Sequence, residues 1–284
     1  MSVLEPAVAG SWYPSSRHEL ASLVDRLIDE AGARVSSPST GTAAGIIAPH
    51  AGYAFSGAVA ASAFSALGRR RPSRAILLGP SHHFGFPGAA IPDTAEAQRT
   101  PLGELPLDRE SLASLRGAEG FRADDRIFEP EHALEAEVPF LQRLFGPDLP
   151  LVPVILGGAA SPADVDRVAA ALAPLVDGET IVIVSSDFTH YGPRFSYVPF
   201  VDNVPEQLRA LDVSAISEIA RGDAAGFTSV VAKTGATICG RRAIDVLLRL
   251  PVGRGGGSLL EYDTSGRMTG SWDHSVSYAS MAFP

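Results

Sequence analysis

Short, near-continuously apolar runs punctuate this chain, and amphipathic stretches fill the gaps between them. Residues 45–50 (Gly-Ile-Ile-Ala-Pro-His), 75–80 (Ala-Ile-Leu-Leu-Gly-Pro), 151–156 (Leu-Val-Pro-Val-Ile-Leu) and 180–186 (Thr-Ile-Val-Ile-Val-Ser-Ser) are β-branched or leucine-rich. Runs without polar alternation suit strands covered on both faces. Residues 259–262 and 275–283 read as later strands, the last alternating in the manner of an antiparallel edge. Between the runs lie helical patterns. Ser161-Pro162 offers an N-cap and a first-turn proline, after which Val165, Val168, Ala169, Leu172, Leu175 and Val176 share one face. Val138, Leu141, Leu144 and Phe145 do the same for a helix starting near Leu134, and residues 58–67, 207–221 and 240–250 give three more. Alternating strands and helices predict an α/β fold with a largely parallel central sheet flanked by helices. Two stretches rich in small residues, 31–42 and 253–258, predict surface loops. Neither is long enough to separate domains, so residues 1–284 are read as a single domain.

Composition removes several function classes. The 284 residues include 23 Lys plus Arg and 32 Asp plus Glu, a formal net charge of −9. Hydrophobic residues at 45% and charged residues at 19% are the balance of a globular chain, not a disordered one. The acidic excess argues against nucleic acid and anionic membrane surfaces as partners. No window approaches ~18 consecutive apolar residues, so no membrane span is expected. Residues 1–13 lack a basic region followed by an apolar stretch, so no signal peptide is read and a cytoplasmic setting is expected. Cys239 is the single cysteine, which leaves no intrachain disulfide and no zinc-finger spacing, and fits a reducing compartment. Neither a phosphate-binding glycine loop nor a G-x-S-x-G elbow is present.

The chemistry gathers where strands end. His50 closes the first run, His82 and His83 follow the second, and Asp187 and His190 follow the fourth. Ligands of open α/β sheets bind outside the carboxyl ends of the strands. Any one of these histidines alone reads as a hydrogen-bonded structural residue. Three strand ends carrying imidazole or carboxylate point to a shared metal or catalytic site, imidazole being the commonest ligand and acid–base group at neutral pH. Thr237 can cap the following helix, which would set Cys239 near a helix N-terminus that favours thiolate. The alternative is a small buried hydrophobe. Glu131, His132 and Glu135 precede an amphipathic helix: His132 can face a pocket, or the carboxylates can simply complement the helix start. Arg241 and Arg242 can hold an anionic group or form salt bridges. His18 and His274 receive no role.

Taken together, these motifs resemble the Memo family, whose bacterial and archaeal members are often named protein B of the AmmeMemoRadiSam system. The resemblance runs nearly end to end. It covers Ala9-Gly-Ser-Trp-Tyr13, Ala48-Pro-His-Ala-Gly-Tyr53 with Ser56-Gly57, Gly79-Pro-Ser-His-His83, Thr100-Pro-Leu102 and Glu131-His132 with Glu135. It continues through Ser185-Ser-Asp-Phe188 with His190 and Gly192, Thr237-Ile-Cys-Gly-Arg241 and Ser275-Val-Ser-Tyr-Ala279. It implies a fold similar to LigB-like class III extradiol dioxygenases, the non-haem iron enzymes that open catechol rings. It also implies His50, His82 and Cys239 as metal ligands, His190 and neighbouring Asp187 as active-site residues, and His132 as a pocket histidine. Thr189 and Tyr191 stand where some relatives carry Cys and Trp, a change of pocket shape and not of ligand count. Iron is the metal the resemblance favours, although a soft thiolate also suits copper or zinc. The implied partners are an unknown small molecule or peptide, and radical-SAM and AMMECR-domain proteins. Three readings follow: a metal-dependent, dioxygenase-like oxidoreductase, a non-enzymatic peptide- or protein-binding module, and a hydrolase with Cys239 as nucleophile and His190 as base.

Overall fold

In the computed structural model, which describes residues 2–34, 43–68 and 70–284, the four apolar runs become neighbouring strands in the middle of one large sheet. In chain order, β1 (Ser2–Leu4) and α1 (Arg17–Arg34) precede β2 (Gly45–Ala48), α2 (Tyr53–Ala66) and β3 (Arg74–Pro80). Next come β4 (Ala89–Ile91), β5 (Ala95–Thr100), β6 (Gly103–Pro106), α3 (Arg109–Arg116) and β7 (Phe121–Ala123). Then follow α4 (Val138–Phe145), β8 (Leu151–Leu156), α5 (Pro162–Leu172) and β9 (Thr180–Ser185). The remainder is β10 (His190–Tyr191), α6 (Val204–Ala220), α7 (Ala224–Thr234), α8 (Arg241–Arg249), β11 (Ser258–Thr264), α9 (Ser265–Thr269) and β12 (Ser275–Phe283). Of the loop expected over 31–42, residues 31–34 belong to α1 and the rest lies outside the described residues.

The large sheet runs β10-β12-β2-β9-β3-β8-β4-β7, with β11 also paired to β12. Its centre, β2-β9-β3-β8, is wholly parallel. The flanks are not: β12 lies antiparallel to β2, β11 and β10, and β4 antiparallel to β8. The sheet is therefore mixed, not largely parallel, because β11, α9 and β12 return through a short connection that permits antiparallel pairing. Nor is β12 an edge. It sits between β2 and β11, and the polar members of its alternation, Ser275, Ser277 and Ser280, are fully buried. A second small sheet, β1-β5-β6, was not foreseen, because β5 reads Ala-Glu-Ala-Gln-Arg-Thr and lacks an apolar run.

Two crossovers cover the centre. From β2 the chain passes through α2 to β3, two places along the sheet in one direction. From β8 it passes through α5 to β9, two places in the other. Right-handed crossovers of opposite sense put α2 and α5 on opposite faces. Accordingly α2 packs with α1 and α4, and α5 packs with α8, which lies against β3 and β9. The expected cap of α5 is present, with the Asp164 backbone N–H donating to Ser161 Oγ at 3.2 Å and the Ser161 N–H to Asp164 Oδ2 at 2.8 Å. Among the described residues no helix is long and apolar enough to cross a membrane. Because β2, β9, β3 and β8 are parallel, their carboxyl ends share one rim.

Candidate metal centre

His50 lies two residues beyond β2, beside the end of β9, where Ala48 and Ser185 are register partners. His82 lies two residues beyond β3. His132 comes from the segment before α4, which turns through 135–137 against the same rim. One ring nitrogen from each of His50, His82 and His132 lies within 4.8 Å of the others. The His82 and His132 rings stack at 4.5 Å, and His50 meets both edge-on at 5.3 Å and 5.7 Å. His50 is buried, His132 half-buried and His82 exposed, so the cluster opens to solvent on one side.

Hydrogen bonds occupy the Nδ1 of His82, His50 and His190. His82 Nδ1 lies 2.8 Å from Glu131 Oε1, and the His82 backbone N–H donates to Glu131 Oε2 at 2.7 Å. Burial works to raise the pKa of Glu131, but the hydrogen bonds and charge of His82 outweigh it and hold the carboxyl below its usual range. A carboxylate only accepts, so His82 carries a proton on Nδ1, and Nε2 is the nitrogen turned away from Glu131. His50 Nδ1 lies 2.8 Å from Ser185 Oγ, whose own proton is directed to Glu137 Oε1 or the Ala133 carbonyl. The hydroxyl therefore accepts from His50. His190 Nδ1 lies 3.0 Å and 3.1 Å from the carbonyls of Phe188 and Thr237, which fixes the same tautomer. Burial, then the neighbouring imidazoles, push His50 well below its ordinary pKa. Burial and His82 take His132 down to about 4. Both rings are thus neutral at pH 7, the form that binds metal.

Cys239 belongs to the turn between α7 and α8. Its Sγ lies 3.3 Å from His50 Nε2 and accepts the Asp187 backbone N–H at 3.2 Å. The expectation of a thiolate favoured by a capped helix start is corrected on two counts. Thr237 does not cap α8; its hydroxyl accepts from the His190 N–H at 2.9 Å and donates to the His190 carbonyl at 2.7 Å, and Gly240 occupies the cap position. Burial and the charge of Asp187 push the Cys239 thiol pKa up, so without a metal the sulfur keeps its proton. Asp187 Oδ1 accepts the His50 backbone N–H at 2.9 Å, and burial raises its pKa. Asp187 thus braces the ligand-bearing backbone.

Three residues that carry weight here were not anticipated. Trp12 packs its ring against His132, tilted by 56°, at 4.2 Å between centroids. Its segment is fastened by Glu135, whose carboxylate accepts from the Ala7 and Val8 backbone N–H groups, at 2.6 Å and 3.1 Å, and from the Tyr13 hydroxyl. Ser185 and the fully buried Glu137 stand behind His50. Glu131 and Glu135 are accordingly tertiary ties, not helix-start electrostatics. A signal existed: three glutamates within residues 131–137, all of which end buried.

Residues 4–282 match the sequence profile of the family described as Memo-like protein. The chain belongs to the Memo family. The Protein memo-1 homolog of Caenorhabditis elegans is 34% identical over 96% of this chain and 80% of its own. A MEMO1 family protein of Methanopyrus kandleri is 33% identical over 98% of both chains, and Protein MEMO1 of Xenopus laevis 32% identical over 98% of this chain and 96% of its own. Among solved structures, an uncharacterized protein of Escherichia coli K12 superposes with a TM-score of 0.44 at 14% identity, covering 74% of this chain and 86% of that one. In this Memo chain, then, the expected ligands His50 and His82 come together with His132, while Cys239 touches His50 from the side.

Proposed function

We propose that this Memo protein binds one transition-metal ion, iron foremost and copper or zinc by the same donors, between His50, His82 and Cys239, with His132 as a further nitrogen within reach. In this reading the fold is LigB-like and the chemistry an oxidation of a small or protein-borne substrate. The observation that carries it is three imidazoles whose ring nitrogens lie within 4.8 Å of one another, each on a separate segment, beside a thiol. Imidazole and thiolate donors fit a first-row transition metal, not magnesium or calcium. Such an ion, when bound, would supply a Lewis-acidic centre, and as iron or copper a redox-active one. His190, its Nδ1–H held by two carbonyls, offers Nε2 to take a proton from a substrate hydroxyl. Asp187 keeps His50 in place through its backbone N–H. Trp12 shields His132 from water on one side.

The test is metal content by mass spectrometry after purification without chelators. About one ion per chain is expected, lost in the His50→Ala, Cys239→Ala double variant. Full metal retention in that variant rejects the site. Loss in His132→Ala as well would place that imidazole in the ligand set. Oxygen uptake with catechols by the loaded protein then separates oxidation from mere binding.

A second reading, a peptide-binding module, draws on a cavity of about 750 Å³ beside Trp12, where the exposed side chains of Phe55 and Met268 face solvent. Peptide binding indifferent to metal and to His82→Ala would favour it.

A further inference from the structure

The first turn of α8 carries two adjacent guanidiniums, Arg241 and Arg242. Among the described residues neither Arg241 nor Arg242 has an ion-pair partner, although carboxylates lie close by. Those are already engaged: Asp245 with Arg249, and Asp164 with Arg167 and the cap of α5. Arg242 is half-buried, and its one hydrogen bond is Nε to the Ala160 carbonyl at 2.5 Å. Burial and the adjacent Arg241 charge push its pKa down despite the opposing pull of Asp164 and Asp245. An arginine stays protonated under such pressure, so what it lacks is an anion.

Both arginines line two cavities. One, of about 270 Å³, also has His82 and Cys239 in its wall. The other, of about 410 Å³, is walled by Val165, Phe227 and Val231, with Ser161 and Thr228 as its neutral polar groups and Asp245, already paired with Arg249, as its carboxylate. An apolar chamber with a small number of convergent polar groups is the usual make-up of a small-molecule site. Here the charged pair stands between that chamber and the candidate metal ligands.

We propose that Arg241 and Arg242 anchor the oxyanion of a small ligand, a carboxylate or phosphate group on an apolar body, with the body in the chamber lined by Val165, Phe227 and Val231. This names the substrate class for the metal-centre reading and rests on it. The anion would lie on the side of the arginines that faces His82 and Cys239. Charge-assisted bonds to a fork-shaped guanidinium provide the recognition, and the protein's overall acidity makes this local cationic site selective against other surfaces.

The test is calorimetric titration of chelator-treated protein with 3-phenylpropionate and with phenyl phosphate, against the neutral 3-phenylpropionamide. At least one anion should bind, and the amide should bind about tenfold more weakly or worse. Preference between the two anions identifies carboxylate or phosphate as the headgroup. The Arg241→Gln, Arg242→Gln double variant, checked for native circular dichroism, should lose about tenfold in affinity for the anion that binds. Equal affinity for acid and amide, or no binding of either anion, overturns the proposal, and this comparison needs only the unaltered protein. Metal uptake is measured in parallel. A protein that binds the anion but takes up no metal defeats the metal reading alone; one that loads metal but ignores the charge defeats this proposal alone.

Discussion

Ser185 Oγ accepts from His50 Nδ1 and has one proton of its own, directed to Glu137 Oε1 at 2.8 Å or the Ala133 carbonyl at 2.7 Å. The hydroxyl therefore decides the tautomer and rotation of an imidazole that is itself fully enclosed. Ser185→Ala removes that orientation without creating a large cavity. The expected result is a folded protein whose metal affinity, measured by competition with a chromophoric chelator, falls about 10- to 100-fold. An unchanged affinity would show that packing alone orients His50. At this scale the histidines were legible in the sequence and their supports were not. His50, His82 and His190 stand directly after apolar runs, so a rule about strand ends finds them. Ser185 and Glu137 look like ordinary polar residues, and only the pairing of β2 with β9 and the approach of the 135–137 turn give them a partner. Cys239 was legible as a candidate but not in its protonation, because the enclosure that overrides the helix start is a property of the assembled site.

The elements show the same division. Strands β2, β3, β8 and β9 were legible because burial on both faces leaves them continuously apolar. Helix α2 starts at Tyr53, five residues before the expected 58, and keeps Gly57 in its interior despite the low helix propensity of glycine. Gly57 packs closely: a Cβ placed there would sit 3.0 Å from Leu27 Cδ1 of α1, so that side chain would have to give way slightly. The turn into α8 is tighter still. A Cβ on Gly240 would lie 2.4 Å from Ser186 Cβ and 2.9 Å from the Ser185 carbonyl, so only glycine lets the Cys239 turn rest on the end of β9. Gly240→Ala should therefore cost about 1–3 kcal/mol of stability in urea denaturation. It should weaken metal binding too, because relief of the clash moves Cys239 away from His50. Ordinary stability in that variant would mean the turn has room that the contacts deny.

On the scale of the whole molecule, the candidate ligands come from four places in the chain: after β2, after β3, before α4 and before α8. An ion held among them ties these segments together only in the folded state, so metal should stabilise the protein by linkage. With free metal at about a hundredfold above Kd, chelator-treated protein should gain about 2.7 kcal/mol, and a chelator should reverse the gain. No gain would mean that the cluster does not hold an ion in the native state. The α/β class could be read from the alternation of runs and helices, and the rim location of the chemistry followed from it. The mixed character of the sheet could not, because β12 disguises an interior strand with small serines that look suited to water. That disguise has a kinetic consequence. β2 pairs through Gly45, Ile46 and Ile47 with Phe283, Ala282 and Met281, more than two hundred positions later. Until those residues leave the ribosome, one flank of β2 has no neighbour and shows bare amides and carbonyls, so a nascent chain depends on chaperones, or on speed, to keep that flank from recruiting a stranger.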